Sequence, residues 1–146
     1  MSYFNIKTFA IFDVKLLIMD KKILLVAAFL GITAIVLGAF GAHGLKKVLS
    51  MEQLATFEVG VRYQMYHALF LLFVGTFAFL GEKERSIIFY LTITGVLFFS
   101  GSIYFLATNT ITNIKTKFLG PITPIGGMFL IMAWSYFFYV ILSKKQ

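Results

Sequence analysis

The sequence predicts an all-α fold, an integral membrane four-helix bundle of antiparallel, up-down topology with a short amphipathic lead-in before the second span. Three observations predict it. Of the 146 residues, 60% are hydrophobic and only 13% charged, and the mean hydropathy is +0.90, more apolar surface than a soluble core of this size can hide. Four stretches, at about 23–42, 59–80, 87–108 and 122–142, reach the ~20 apolar residues that a hydrocarbon core of about 30 Å requires. Lysine pairs flank these stretches at Lys21-Lys22, Lys46-Lys47 and Lys144-Lys145, where anionic headgroups attract them. The net charge of +7 therefore reads as membrane-directed, and no basic face interleaved with aromatics outside the spans suggests nucleic acid. The chain has no cysteine, which excludes disulfides and thiolate metal sites.

Residues 1–20 mix Phe4, Phe9, Ile11, Phe12, Leu16 and Leu17 with Asn5, Lys7, Asp13 and Lys15, a segment too polar to span. It reads as an N-terminal extension ahead of Met19-Asp-Lys-Lys, or as an interfacial amphipathic helix. A cleavable signal peptide is not expected, because the apolar run after Lys22 is a full span long and ends in no small-residue cleavage site. Residues 21–146 form the four-transmembrane-helix domain. The first span is uncharged, and Ala27, Gly31, Ala34, Gly38 and Gly41 or Ala42 recur at spacings of three and four. Such a face of small residues lets helices approach closely where no hydrophobic force draws them together.

Ser50 and Gln53 have the spacing of a capping box, so a helix should begin at Met51 and run on to Leu80. Its first residues, 51–58, are the amphipathic lead-in. Arg62, Tyr63, Gln64, Tyr66 and His67 then fall in the first half of the second span, where polar groups are costly and need partners. Gly81-Glu-Lys-Glu-Arg85 is read as a short charged turn that makes the second and third spans antiparallel neighbours. The third span carries Thr92, Ser100, Ser102 and Tyr104. Hydroxyls there can return hydrogen bonds to their own helix, which suits a structural role. After a polar connection at 109–117, Thr123 is read as the N-cap of a helix opening at Pro124, since proline is tolerated in a first turn. Trp134, Tyr136 and Tyr139 suit an interfacial belt.

With four spans, Lys7, Lys15, Lys21, Lys22, Lys83, Arg85, Lys144 and Lys145 share one side, and Lys46, Lys47, Arg62, Lys115 and Lys117 the other. Eight against five puts both termini in the cytoplasm; a start at Met19 narrows the count to six against five. The same topology gathers His43, Glu58, Arg62, Tyr63, Gln64, His67, Gly126 and Gly127 on one membrane face, where the second and fourth spans also direct their N-terminal ends.

Glu58 and Arg62, four apart, can form a helix ion pair or, with Lys46 and Lys47, a clamp for an anion or headgroup. Tyr63 and His67 share another face, so the histidine can hydrogen-bond the tyrosine hydroxyl. Two histidines and no deep acid leave a metal site under-ligated, so neither a metal nor any other cofactor is expected, bis-histidine haem included. Ser100 and Ser102 have no spaced base for nucleophilic catalysis. The expected function is non-enzymatic: a polar cluster on one face binding an anionic small molecule, a lipid headgroup or a partner segment. Membrane lipids, a membrane-protein partner or a second copy of the chain are the expected partners. The alternative is a small solute or proton-coupled transporter, for which Glu58 is the only carboxylate near the membrane interior.

Four motifs in order carry a family resemblance: Gly38-Ala-Phe-Gly-Ala-His-Gly-Leu-Lys46, Phe57-Glu-Val-Gly-Val-Arg62-Tyr-Gln-Met-Tyr-His67-Ala-Leu, Phe99-Ser-Gly-Ser-Ile-Tyr104 and Leu119-Gly-Pro-Ile-Thr-Pro-Ile-Gly-Gly127. Over about 23–142 the chain closely resembles the small four-span family known as domain of unknown function 423, with its YgdD-like bacterial inner-membrane proteins. The resemblance implies that fold and a multi-pass location in the bacterial plasma (inner) membrane, and it implies no particular reaction. It marks His43, Gly44, Arg62, Tyr63, Gln64, His67, Ser100, Tyr104, Pro124, Gly126 and Gly127 as motif positions.

Overall fold

The computed structural model describes residues 3–112 and 118–144, with side chains from Asp20 onward. The elements are α1 (Tyr3–His43), a 3-10 turn (Leu45–Lys47), α2 (Met51–Thr76), α3 (Glu82–Ala107), α4 (Asn109–Thr112) and α5 (Ile122–Ser143), with no strand among the described residues. The backbone of α1 continues unbroken from Tyr3 through the first apolar stretch. The extension or interfacial character expected of 1–20 rests on side chains outside the described residues.

After α1 the Gly44 amide closes on the Phe40 carbonyl at 2.8 Å. Leu45 and Leu49 then turn inward to pack with Leu54, Phe57 and Ala107. That packing ends α1 and holds the start of α2 against it. The capping box forms as its spacing predicts: the Gln53 amide donates to Ser50 Oγ at 3.2 Å, and the Ser50 amide donates to Gln53 Oε1 at 3.0 Å. Two orphan donors of the helix start are satisfied.

The far end of α2 differs from expectation. The helix stops at Thr76 rather than Leu80, Phe77 turns to φ −78 and ψ 99, and the apolar residues 77–81 make the connection. The charged residues read as a turn instead open α3, where Glu82 and Glu84 meet the positive end of the helix dipole. Arg85 is the cause. Its guanidinium is buried, pairs with Asp20 and donates to the Phe77 carbonyl at 3.0 Å, so the residue cannot sit in an exposed turn. Lys144 completes the clasp by donating to the Phe79 carbonyl at 2.7 Å, with its ammonium 3.8 Å from Glu84.

α1 and α2 contact each other in reversed order. Gly38 faces Val61, Gly41 faces Phe57 and Gly75 faces Ile23 and Leu24 between α1 and α2. Gly60 faces Ile103 and Tyr104 between α2 and α3, and Ser102 meets the Thr123 hydroxyl at 2.6 Å between α3 and α5. α5 begins at Ile122 behind Pro121, not at Pro124 behind a Thr123 cap. Thr123 is drawn to Ser102 instead, and Pro124 lies in the first turn, where its missing amide costs nothing.

Among the described residues three helical stretches are long and apolar enough to cross a membrane: Asp20–Lys47, Glu82–Ala107 and Ile122–Ser143. The second stretch expected to match them does not. α2 is as long as α3, 26 residues, but Glu58, Arg62, Gln64 and His67 dilute its apolar character. Outward-facing Phe29, Ile32, Val36, Ile131, Phe138 and Leu142 are exposed, an exterior suited to lipid and not to water.

Candidate functional site

α2 is the element around which polar contacts gather, and its faces divide the expected site residues. Gln64 is only 5% exposed and points toward α1 and α3. Its Nε2 donates to the Leu30 carbonyl at 2.9 Å and to Thr33 Oγ1 at 2.7 Å, while Tyr104 donates to its Oε1 at 2.8 Å. The three helices meet at one amide whose two hydrogens and oxygen are all used. Replacing Gln64 by leucine strands the half-buried Tyr104 hydroxyl and is expected to cost about 1–2 kcal/mol, measured by thermal unfolding in detergent. A Tyr104→Phe, Gln64→Leu double variant should lose little more than the single one.

One residue earlier and three residues later, α2 turns toward α5. Tyr63, His67, Phe99, Gly127, Leu130, Ile131, Trp134 and Ser135 line a cleft of about 400 Å³ between α2 and α5, with Phe99 of α3 as its floor. The positions from Gly127 to Ser135 recur at the spacing of one helix face, which is why a single helix supplies most of the wall. Tyr63 packs on Phe99 at 4.7 Å between ring centroids, and Trp134 stacks on Phe70 at 4.0 Å.

His67 is buried in the back of this cleft. Its Nδ1 is 2.8 Å from the Tyr63 carbonyl, not bonded to the tyrosine hydroxyl as the spacing had suggested; the side chains of residues four apart lie over the intervening turn, and the carbonyl is nearer. A carbonyl only accepts, so Nδ1 carries the proton and Nε2 is left as an acceptor. Trp134 Nε1 donates to that Nε2 at 3.4 Å, longer than the usual range for such a bond.

The expected cluster therefore separates into three parts. Tyr63, His67 and Gly127 meet at the cleft. Gln64 and Gly126 are scaffold: a methyl at Gly126 would run into the backbone of Phe98 and Phe99, so the glycine sets how closely α5 approaches α3. His43, Glu58 and Arg62 are exposed and outside the cleft. The ion pair that their spacing allows does not form: Glu58 and Arg62 share the outward stripe of α2 with Tyr66, Leu69 and Phe73, and among the described residues no ion pair joins them. No three His, Asp or Glu side chains among the described residues gather where a metal ion could be held.

Sequence reasoning missed Trp134 and the Asp20–Arg85 pair. Trp134 was assigned to an interfacial belt, yet it stands about 18 Å into α5, half exposed along the cleft. Its position past the middle of a span was the available signal. Asp20 and Arg85 each looked like an ordinary flanking charge; only their meeting across 65 residues distinguishes them. Thr92 and Ser100 are buried, and their hydroxyls meet no hydrogen-bond partner among the described residues.

A chain whose described residues are helical, with three stretches long and apolar enough to cross a membrane and an apolar exterior, is a helical membrane protein. It belongs, further, to the family described as "Protein of unknown function (DUF423)", which matches residues 37–127. It is 39% identical over 114 residues to a UPF0382 membrane protein of Staphylococcus saprophyticus, covering 78% of this chain and 91% of the relative. The UPF0382 membrane protein YwdK of Bacillus subtilis is 39% identical over 119 residues, covering 78% and 90%. A UPF0382 membrane protein of Haemophilus influenzae is 35% identical over 128 residues, covering 88% and 99%. No solved structure matches the chain.

Proposed function

We propose that the chain is a non-enzymatic, four-span membrane protein that holds a membrane-dissolved, lipid-like molecule in the cleft between α2 and α5. The observation that carries this reading is the cleft itself. It lies among helices whose exterior is suited to lipid, its walls are largely apolar, and Tyr63, His67 and Ser135 supply a few polar handles, the composition of a small-molecule site. About 400 Å³ accommodates a chain or ring of lipid size. Of the ligands expected from sequence, an anionic small molecule finds no cation among the lining residues, and a lipid fits them. Arg62, with Glu58 and His43 on the same exposed end, meets surrounding headgroups, as a long basic side chain does near a membrane surface. No carboxylate lines the cleft, so proton-coupled transport has no support there.

The clasp supports the four-span, up-down topology. Asp20 and Arg85 pair, so the apolar stretch of α1 and that of α3 begin on the same side. If both cross, the chain must return between them, and α2 is the segment available. We place both termini in the bacterial cytoplasm. Arg85, being paired, no longer counts as a loop charge, which leaves seven basic residues against five.

Two experiments test this. The chain lacks cysteine, so single Ser50→Cys and Thr110→Cys variants should react with a membrane-impermeant maleimide from one side and Lys83→Cys from the other. Labelling of Ser50→Cys and Lys83→Cys from the same side would end the four-span reading. In native mass spectrometry from mild detergent, the parent should carry a lipid-sized adduct that Ile131→Trp, which fills the cleft from its exposed wall, loses. Arg62→Ala should keep that adduct and carry fewer phospholipids. A parent without the adduct, or an Ile131→Trp protein that retains it, contradicts ligand binding in the cleft.

A further inference from the structure

The geometry points to the class of molecule the cleft selects: an otherwise apolar compound bearing a hydroxyl group, an alcohol or phenol, whose oxygen bridges His67 Nε2 and Trp134 Nε1. This rests on the reading of the cleft as a ligand site. The argument begins at the Tyr63 carbonyl, 2.8 Å from His67 Nδ1. That bond fixes the proton on Nδ1, so Nε2 offers a lone pair and nothing else. Facing it is the Trp134 N–H, which can only donate, and the two nitrogens are 3.4 Å apart.

One acceptor and one donor, loosely matched to each other, border an apolar space lined by Tyr63, Phe99, Leu130 and Ile131. A hydroxyl is the group that satisfies both. Its hydrogen goes to Nε2 and its oxygen receives the Trp134 N–H; about 2.9 Å to each nitrogen at a near-tetrahedral oxygen needs the two roughly 4.7 Å apart, so the half-exposed indole swings outward by about 1.3 Å as the hydroxyl replaces the direct 3.4 Å contact. An ether or ketone oxygen can take only the Trp134 N–H and leaves Nε2 facing the ligand unpaired. An ionised carboxylate or phosphate is worse, because it presents only lone pairs to Nε2 and finds no cation among the lining residues. The rings of Tyr63 and Phe99, tilted at 41° to each other, and the half-exposed indole favour a flat or branched apolar body beside the hydroxyl.

Trp134 is the single tryptophan of the chain, so its emission reports the cleft directly. The full-length protein in phosphatidylcholine nanodiscs would be titrated with 4-nonylphenol and with its methyl ether, 4-nonylanisole. We expect a saturable change in emission with the phenol at a concentration about tenfold lower than with the ether, the effect of one hydrogen bond. His67→Leu should bring the phenol to the level of the ether and leave the ether unchanged, and Ile131→Trp, followed by ligand retained in the nanodisc, should bind neither. If His67→Leu does not fold, Trp134→Phe with retained phenol measured by mass spectrometry should show the same narrowing. Equal binding of phenol and ether by the parent overturns the hydroxyl assignment while leaving the cleft a site, and binding of neither overturns both. A His67→Leu or Trp134→Phe protein that keeps the tenfold preference also overturns it.

Discussion

Replacing Asp20 by alanine should destabilise the folded protein by about 3–5 kcal/mol, because it leaves a buried guanidinium without its counter-charge. Arg85 is 4% exposed and Asp20 24% exposed, so the cost arises on the arginine side. Asp20→Asn keeps an acceptor but not the charge and should lose less. The informative comparison is with the Asp20→Leu, Arg85→Met double variant, which removes both charges together and should recover most of the loss. Thermal unfolding of the four proteins in one detergent measures this. A double variant no more stable than Asp20→Ala would mean that packing around Arg85, and not its charge, holds this end. Because Arg85 also donates to the Phe77 carbonyl, Arg85→Ala should in addition loosen the 77–81 connection and expose it to proteolysis.

The second large effect concerns Gly126. An added methyl would meet backbone atoms of Phe98 and Phe99, which cannot rotate away as a side chain can. Gly126→Ala is therefore expected to separate α5 from α3 at a cost of about 1–3 kcal/mol and to widen the adjoining cleft at Gly127. Gly31 and Gly101 are the internal controls, since an added methyl meets nothing within 4 Å at either. Alanine there should be neutral or stabilising by up to about 1 kcal/mol, its advantage over glycine in a helix. Equal losses at all three positions would show that the glycines act through helix propensity and not through close approach.

The small-residue periodicity of the first span correctly marked a packing face, yet it could not tell which glycines are in contact. A methyl added at Gly38 or Gly41 would meet side chains of α2, while one added at Gly31 would meet nothing within 4 Å. The same limit applies to the polar residues of α2. Their high cost in a span identified Arg62, Tyr63, Gln64 and His67 as needing explanation, but residues a few positions apart leave a helix in different directions. Gln64 thus enters a saturated three-helix contact, His67 enters the cleft, and Arg62 faces outward.

Composition and hydropathy alone determined that the chain is helical and membrane-borne, because in hydrocarbon every backbone amide must be satisfied within its own segment. The capping box was equally legible, being complete within four consecutive residues. Only the tertiary structure decided where α2 ends, which charges pair and where the cleft lies. Those outcomes depend on residues 65 apart, such as Asp20 and Arg85, or 67 apart, such as His67 and Trp134. No local pattern encodes a contact between side chains that meet only after the helices have packed.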